Sequence, residues 1–134
     1  MKQEEKDFIK RVRENAFLRN FVLSREVLDF IACQFALESD YGRCNLAKYS
    51  HNYCGMCSPH RRIFYGSSSA NEFAKYDTFD SCVIDYISWL LYNRPTNCEL
   101  KNLSDFKRFL RNNGYCPEKD YIDKINSIYQ QLKV

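Results

Sequence analysis

The stretch REVLDFIACQFALESDYG (residues 25–42) decides the architecture. Val27, Leu28, Ile31, Ala32, Phe35 and Ala36 recur at three- and four-residue spacing, the period of a helix that buries one face. Ser24 stands before the run as an N-cap. Ser39, Asp40 and Gly42 are poor helix continuers, so the helix is predicted to end between Leu37 and Tyr41, with Glu38 at its last turn. Glu38 thus leaves an apolar helix face and opens into a polar turn.

Working outward, Phe8, Ile9, Val12, Ala16 and Phe17 give an earlier helix. Val83, Ile84, Ile87, Leu90 and Leu91 give a third, with Asp77 to Asp80 as its acidic start and Pro95 beyond its end. Leu103, Phe106, Phe109 and Leu110 mark a fourth, and Tyr121, Ile122, Ile125, Ile128 and Leu132 a fifth. Between Gly42 and Asn71 the helical period disappears. There Arg61 to Tyr65 and Glu72 to Tyr76 flank the turn-rich Gly66 to Asn71, the pattern of a short hairpin. The expected architecture is mainly α, with one small β-hairpin lobe, in a single domain over residues 1–134 that folds as a monomer.

The chain has 134 residues and is 45% hydrophobic, enough apolar side chain for one core. Its 20 Lys and Arg stand against 17 Asp and Glu, and they are scattered instead of forming the dense basic stripe of a nucleic-acid binder. No stretch reaches the roughly 20 apolar residues of a membrane span. Met1 to Lys10 is charged and lacks the apolar run of a signal peptide, so the expectation is synthesis in the cytoplasm, with any action outside the cell following release or export by another route. The seven cysteines, an odd number, cannot all pair within one chain and are expected to be mostly reduced thiols.

Cleaving a glycosidic bond requires a carboxylic acid that stays protonated near neutral pH, and a partly apolar site supplies that by disfavouring ionisation. Glu38 fits this requirement. Cys54-Gly55-Met56-Cys57, flanked by His51 and His60, raises a zinc or redox alternative. One CxxC pair and two His within ten residues are not the ligand spacing of structural zinc, and the βαβ context of a redox motif is missing, so no metal and no cofactor are expected.

Four blocks in order resemble the bacterial glucosaminidase-domain family, the flagellar-rod muralytic enzymes and autolysins of the lysozyme-like superfamily. Glu38-Ser39 through Gly42 to Leu46-Ala47 resembles its Glu-Ser-x-x-Gly-x-x-x-Leu-Ala signature. Asn52-Tyr53-Cys54-Gly55-Met56 resembles its Asn-Leu-Phe-Gly-Ile box. Phe73 to Tyr86 resembles its Phe-Arg-x-Tyr-Asp block, and Gly114-Tyr115 with Asp120 to Ile125 resembles its final Gly-Tyr and Asp-x-x-Tyr segment.

The resemblance implies a helical lysozyme-like domain and an endo-acting β-N-acetylglucosaminidase that cuts the glycan strands of peptidoglycan, with Glu38 as general acid. It implies Tyr121 as a catalytic helper, Tyr115 as a groove wall, and Asn52, Tyr53, Gly55 and Tyr76 as the residues that shape the substrate cleft. Several family members carry a second Glu in a longer β-lobe. Here Glu72 is the candidate for that place, with Asp77 and Asp80 behind it, and participation by the substrate's own N-acetyl group is the third route. A muramidase acting on the same polymer, and a catalytically weak glycan-binding module, are the alternative functions.

Overall fold

A computed structural model of the chain describes residues 1–57, 62–67, 72–116 and 118–134. Those residues form seven helices: α1 (Gln3–Arg19), α2 (Arg25–Ser39), α3 (Asn45–Ser50), α4 (Phe79–Tyr92), α5 (Asn97–Lys101), α6 (Leu103–Asn112) and α7 (Tyr121–Lys133). None is long and apolar enough to cross a membrane.

α2 is the central element. Ser24 Oγ accepts from Val27 N at 3.2 Å and caps its start. Every residue from Val27 to Ala36 is buried, because α1, α5, α6 and α7 all pack on it. Phe30 and Phe35 are fully buried, each contributing about 1.5–3 kcal/mol by leaving water. A helix enclosed on all sides can keep polar residues only where each has partners. Asp29 satisfies this with Arg13 of α1 at 3.1 Å, Arg25 at 3.3 Å and Lys133 of α7 at 3.0 Å. One buried carboxylate therefore ties the first and last helices to the middle one.

The end of α2 is held tightly. Asp40, Tyr41 and Gly42 have φ of 49°, 57° and 80°, three left-handed residues in succession. Ser39 Oγ donates to Phe35 O at 2.7 Å and accepts from Gly42 N at 2.9 Å, closing the turn. A side chain at Gly42 would press to 3.0 Å from the Phe8 ring. Arg43 then bonds Glu5 at 2.8 Å and Asp40 at 3.0 Å, fastening the turn to α1.

The expected β-hairpin lobe is not there, and this corrects the fold class to mainly α without a β-lobe: no strand occurs among the described residues. Two isolated antiparallel bridges remain, Cys57 with Phe73 and Ser67 with Lys75. The reason is where the hydrogen bonds of the supposed first strand go. Asp85 of α4 is fully buried and accepts from Arg62 at 2.6 and 2.9 Å and from Tyr65 N at 3.3 Å. Ile63 O accepts from Arg62 Nη1 at 3.0 Å. Segment 62–65 is thus bound to the side of α4, and its Tyr65 donor and Ile63 acceptor are no longer available for a ladder with residues 72–76. Segment 73–76 divides its own bonds among Met56 O, Ser67 and Ser50 O. The turn expected over Gly66 to Asn71 lies in part outside the described residues.

Candidate active site

Glu38 sits in the last turn of α2 and is half-buried. Two features enclose its carboxyl group. On one side is Gly55, φ +71°; a Cβ there would collide with Glu38 Oε2 and come within 3.1 Å of its Cδ. On the other is the Tyr121 hydroxyl at the start of α7, near enough to the carboxyl to affect its proton affinity. Burial pushes the Glu38 carboxyl up from the ordinary carboxylate value, the neighbouring Tyr121 hydroxyl opposes this, and the negative charge of Glu118 adds to the rise. The result is an acid that holds its proton longer than a solvated Glu does.

Behind the carboxyl lies a chain of buried polar groups. Tyr86 of α4, completely buried, donates through its hydroxyl to Gln34 Oε1 at 2.5 Å. Gln34 Nε2 donates to the Tyr121 oxygen at 3.0 Å. Gln34 is also fully buried and stands one helical turn before Glu38, on the same face of α2. Burial raises the pKa of both tyrosines, and the Glu38 charge adds to the rise, so they remain neutral donors.

The loop that presents Gly55 is fixed by Asn52. Its Nδ2 donates to Met56 O and Ala74 O, both at 2.9 Å, and its Oδ1 accepts from Gly55 N at 2.9 Å and Cys54 N at 3.3 Å. Tyr115 supports the same loop, since its hydroxyl donates to Cys54 O at 2.5 Å. Its ring stacks on that of Tyr121, centroids 6.2 Å apart and 14° from parallel, and meets Trp89 edge-on at 4.8 Å.

The residues singled out from sequence therefore fall into distinct places. Glu38, Gly55 and Tyr121 come together, with Tyr115 beside Tyr121. Asn52 is fully buried behind Gly55. Tyr53 packs on Phe79 at 4.8 Å and Phe8 at 6.2 Å, and its hydroxyl meets His51 Nδ1 at 3.2 Å. Tyr76 is buried, and its hydroxyl donates to Asp85 Oδ2 at 2.5 Å. Glu72 is exposed in the segment before Phe73. Asp80 bonds Asn15 Nδ2 at 2.7 Å and Arg19 at 3.8 Å, on the α1 side of α4. Cys54 is buried with its sulfur 3.7 Å from that of Cys82, whereas Cys57 is exposed. His60 lies outside the described residues, and among the described ones no group of three His, Cys, Asp or Glu is placed to hold a metal ion.

Three residues of the site escape sequence reasoning: Gln34, Tyr86 and Glu118. For Gln34 a signal existed, a lone amide on an otherwise apolar helix face one turn from Glu38. Tyr86 reads as an ordinary core aromatic. Glu118, exposed and paired with Lys124 at 3.0 Å, carries no local mark of its nearness to Glu38.

Comparison with known proteins bears on the same residues. Residues 26–134 match the glucosaminidase family model, described as mannosyl-glycoprotein endo-beta-N-acetylglucosaminidase. No curated protein matches the chain in sequence. Among solved structures, the fold is similar to the crystal structure of the catalytic domain of the autolysin Auto from Listeria monocytogenes, with a TM-score of 0.66 and 18% identity over 99% of this chain and 86% of that one. At that identity the likeness is one of fold.

Proposed function

The chain belongs to the glucosaminidase family of glycoside hydrolases, and from that premise we propose that it is an endo-β-N-acetylglucosaminidase of bacterial peptidoglycan, with Glu38 as the proton donor. The observation that carries the assignment is the Glu38 carboxyl itself, half-buried against Gly55 beside the Tyr121 hydroxyl and raised in pKa by burial. An acid of this kind delivers its proton to the glycosidic oxygen as the bond from that oxygen to the anomeric carbon breaks. The carboxylate left behind has the Tyr121 hydroxyl nearby, which favours the charged form. The likeness in fold to an autolysin catalytic domain supports the choice of cell-wall glycan as substrate.

For the opposite face of the sugar, we favour the substrate's own N-acetyl group. Its carbonyl oxygen would attack the anomeric carbon as the leaving oxygen takes the Glu38 proton, and water would later open the resulting ring. Glu72, exposed and bonded to none of the residues around Glu38 among those described, is the protein base in the competing route.

The test is Glu38→Gln, which keeps the shape and removes the proton. Release of reducing ends from purified peptidoglycan should fall by about 10² to 10⁴-fold, while helical circular dichroism stays unchanged. Mass spectrometry of the wild-type products should find N-acetylglucosamine at the new reducing ends. Wild-type turnover by Glu38→Gln would refute the assignment, and N-acetylmuramic acid at the reducing ends would make the enzyme a muramidase.

A further inference from the structure

We propose that Cys54 and Cys82 are a disulfide site: exchange with a small-molecule disulfide joins their sulfurs and staples the loop that carries Gly55 to α4. The inference goes beyond glycan cleavage and uses none of its chemistry.

The seven cysteines are free thiols in this structure. The CxxC spacing points to Cys57 as the partner of Cys54, but the two differ in their surroundings. Cys57 is exposed, whereas Cys54 is fully buried with its sulfur 3.7 Å from that of Cys82, 28 positions away on α4. At that distance the sulfurs are in van der Waals contact. A disulfide brings two sulfurs to about 2.05 Å, so this pair has only a short gap to close.

Two buried thiols can serve simply as small apolar side chains, but this pair sits where a covalent bond has an effect. Tyr53 N donates to Cys82 Sγ at 3.3 Å, Cys54 O accepts from Tyr115, and Cys54 N and Gly55 N both donate to Asn52 Oδ1. The loop is therefore already fitted against α4 at the point where the sulfurs meet. Between α3 and α4 the described residues form no helix and only two isolated bridges. A cross-link from Cys54 to Cys82 closes the base of this irregular stretch into a ring, and restricting the unfolded chain in that way stabilises the folded one.

In the exchange, the Cys54 thiolate attacks one sulfur of the incoming disulfide RSSR; that S–S bond breaks, and RS⁻ leaves and takes up a proton. The Cys82 thiol then gives its proton to solvent as its sulfur attacks Cys54 in the mixed disulfide, and the second RS⁻ leaves and is protonated. Two protein thiols are oxidised and one RSSR is reduced to two RSH. Burial pushes the Cys82 thiol up, so the closed pair reacts slowly and exchange begins when the loop lifts from α4.

The experiment equilibrates reduced protein in glutathione buffers of rising oxidised share, both folded and while refolding from urea, so that access to the pair does not limit the result. Peptide mapping by mass spectrometry should find Cys54 joined to Cys82, with the loss of two hydrogens. Cys57→Ser should form the same bond. The cross-linked protein should unfold at a higher urea concentration than the reduced one, dithiothreitol should reverse the shift, and Cys82→Ala should not show it. The mapping is done on the wild-type chain, so it decides the pairing whether or not Cys82→Ala folds. Cys54 joined to Cys57, or Cys54 and Cys82 left unjoined after refolding in the most oxidising buffer, would overturn the proposal, and so would a cross-link that fails to raise the urea midpoint. No glycan enters these measurements, so their outcome is separate from the reading of Glu38.

Discussion

Replacing Gly55 with Ala tests how closely the acid is held. Gly55 and Gly114 have nearly the same left-handed backbone, φ of +71° and +62°. For an L-residue that conformation costs roughly 1–2 kcal/mol. A Cβ at Gly114 would meet nothing within 4 Å, whereas one at Gly55 would meet the Glu38 carboxyl. Gly114→Ala should therefore lose about 1–2 kcal/mol of stability and keep its activity. Gly55→Ala suffers the same backbone cost and must also turn the Glu38 side chain aside, because Asn52 and Tyr115 prevent the loop from retreating. A reacting group displaced by about 1 Å can cost about 10²-fold in rate, and complete loss of the acid about 10² to 10⁴-fold. The expected result is a pair of variants alike within about 1 kcal/mol in urea unfolding and separated by at least about 100-fold in kcat/KM on peptidoglycan. If Gly55→Ala cuts glycan within a few-fold of Gly114→Ala, the close approach of Gly55 does not fix the position of the carboxyl.

Burial also couples Glu38 to stability. Its carboxyl titrates at an ordinary 4.5 in the unfolded chain and higher in the folded one, so the contribution is fully present below pH 4.5 and is lost as pH rises through the folded value. Urea unfolding of wild type and Glu38→Gln should show the wild type losing ground to the variant between pH 4 and pH 7, two assay points chosen roughly to bracket that rise; parallel profiles would contradict the direction of the shift. At Asn52, substitution by Asp keeps the shape but sets an acceptor against Met56 O and Ala74 O. Two unmade buried bonds at about 1–3 kcal/mol each should lower the melting temperature sharply, and an unchanged melt would mean that the amide does not hold the loop.

How much of this was legible in the sequence depended on range. The helices containing Val27 to Ala36 and Val83 to Leu91 announced themselves because a buried stripe leaves its period in the sequence. The Ser24 cap and the stop after Ser39 are chemistry between near neighbours. α3 and α5 are six and five residues long, too short to show a period, and both went unforeseen. The hairpin was misread because Ile63, Phe64 and Tyr65 have strand-forming side chains, yet Arg62, Tyr65 and Tyr76 all meet a single Asp on α4, a pairing that no local pattern reveals. Glu38 could be picked out because the Glu-Ser-x-x-Gly turn is local. Tyr86 could not, since it joins the site only through a contact with a residue 52 positions away, and the one mark of Gln34 is a lone amide on an apolar face one turn from Glu38.

Gln34 and Tyr121 are 87 positions apart, and Asp29 and Lys133 are 104 apart, so both anchors of α7 on α2 form only when the whole chain is in place. A local opening that peels α7 from the remaining helices would remove the partner of the acid without melting the rest of the fold. A glycan lying across Glu38 and Tyr121 would bridge the two helices and bind only the docked form. At a concentration of about one hundred times its dissociation constant it would hold that form by about 2.7 kcal/mol. The polymer under attack would then act as a splint for the enzyme, slowing amide exchange along α7 for as long as a strand is bound.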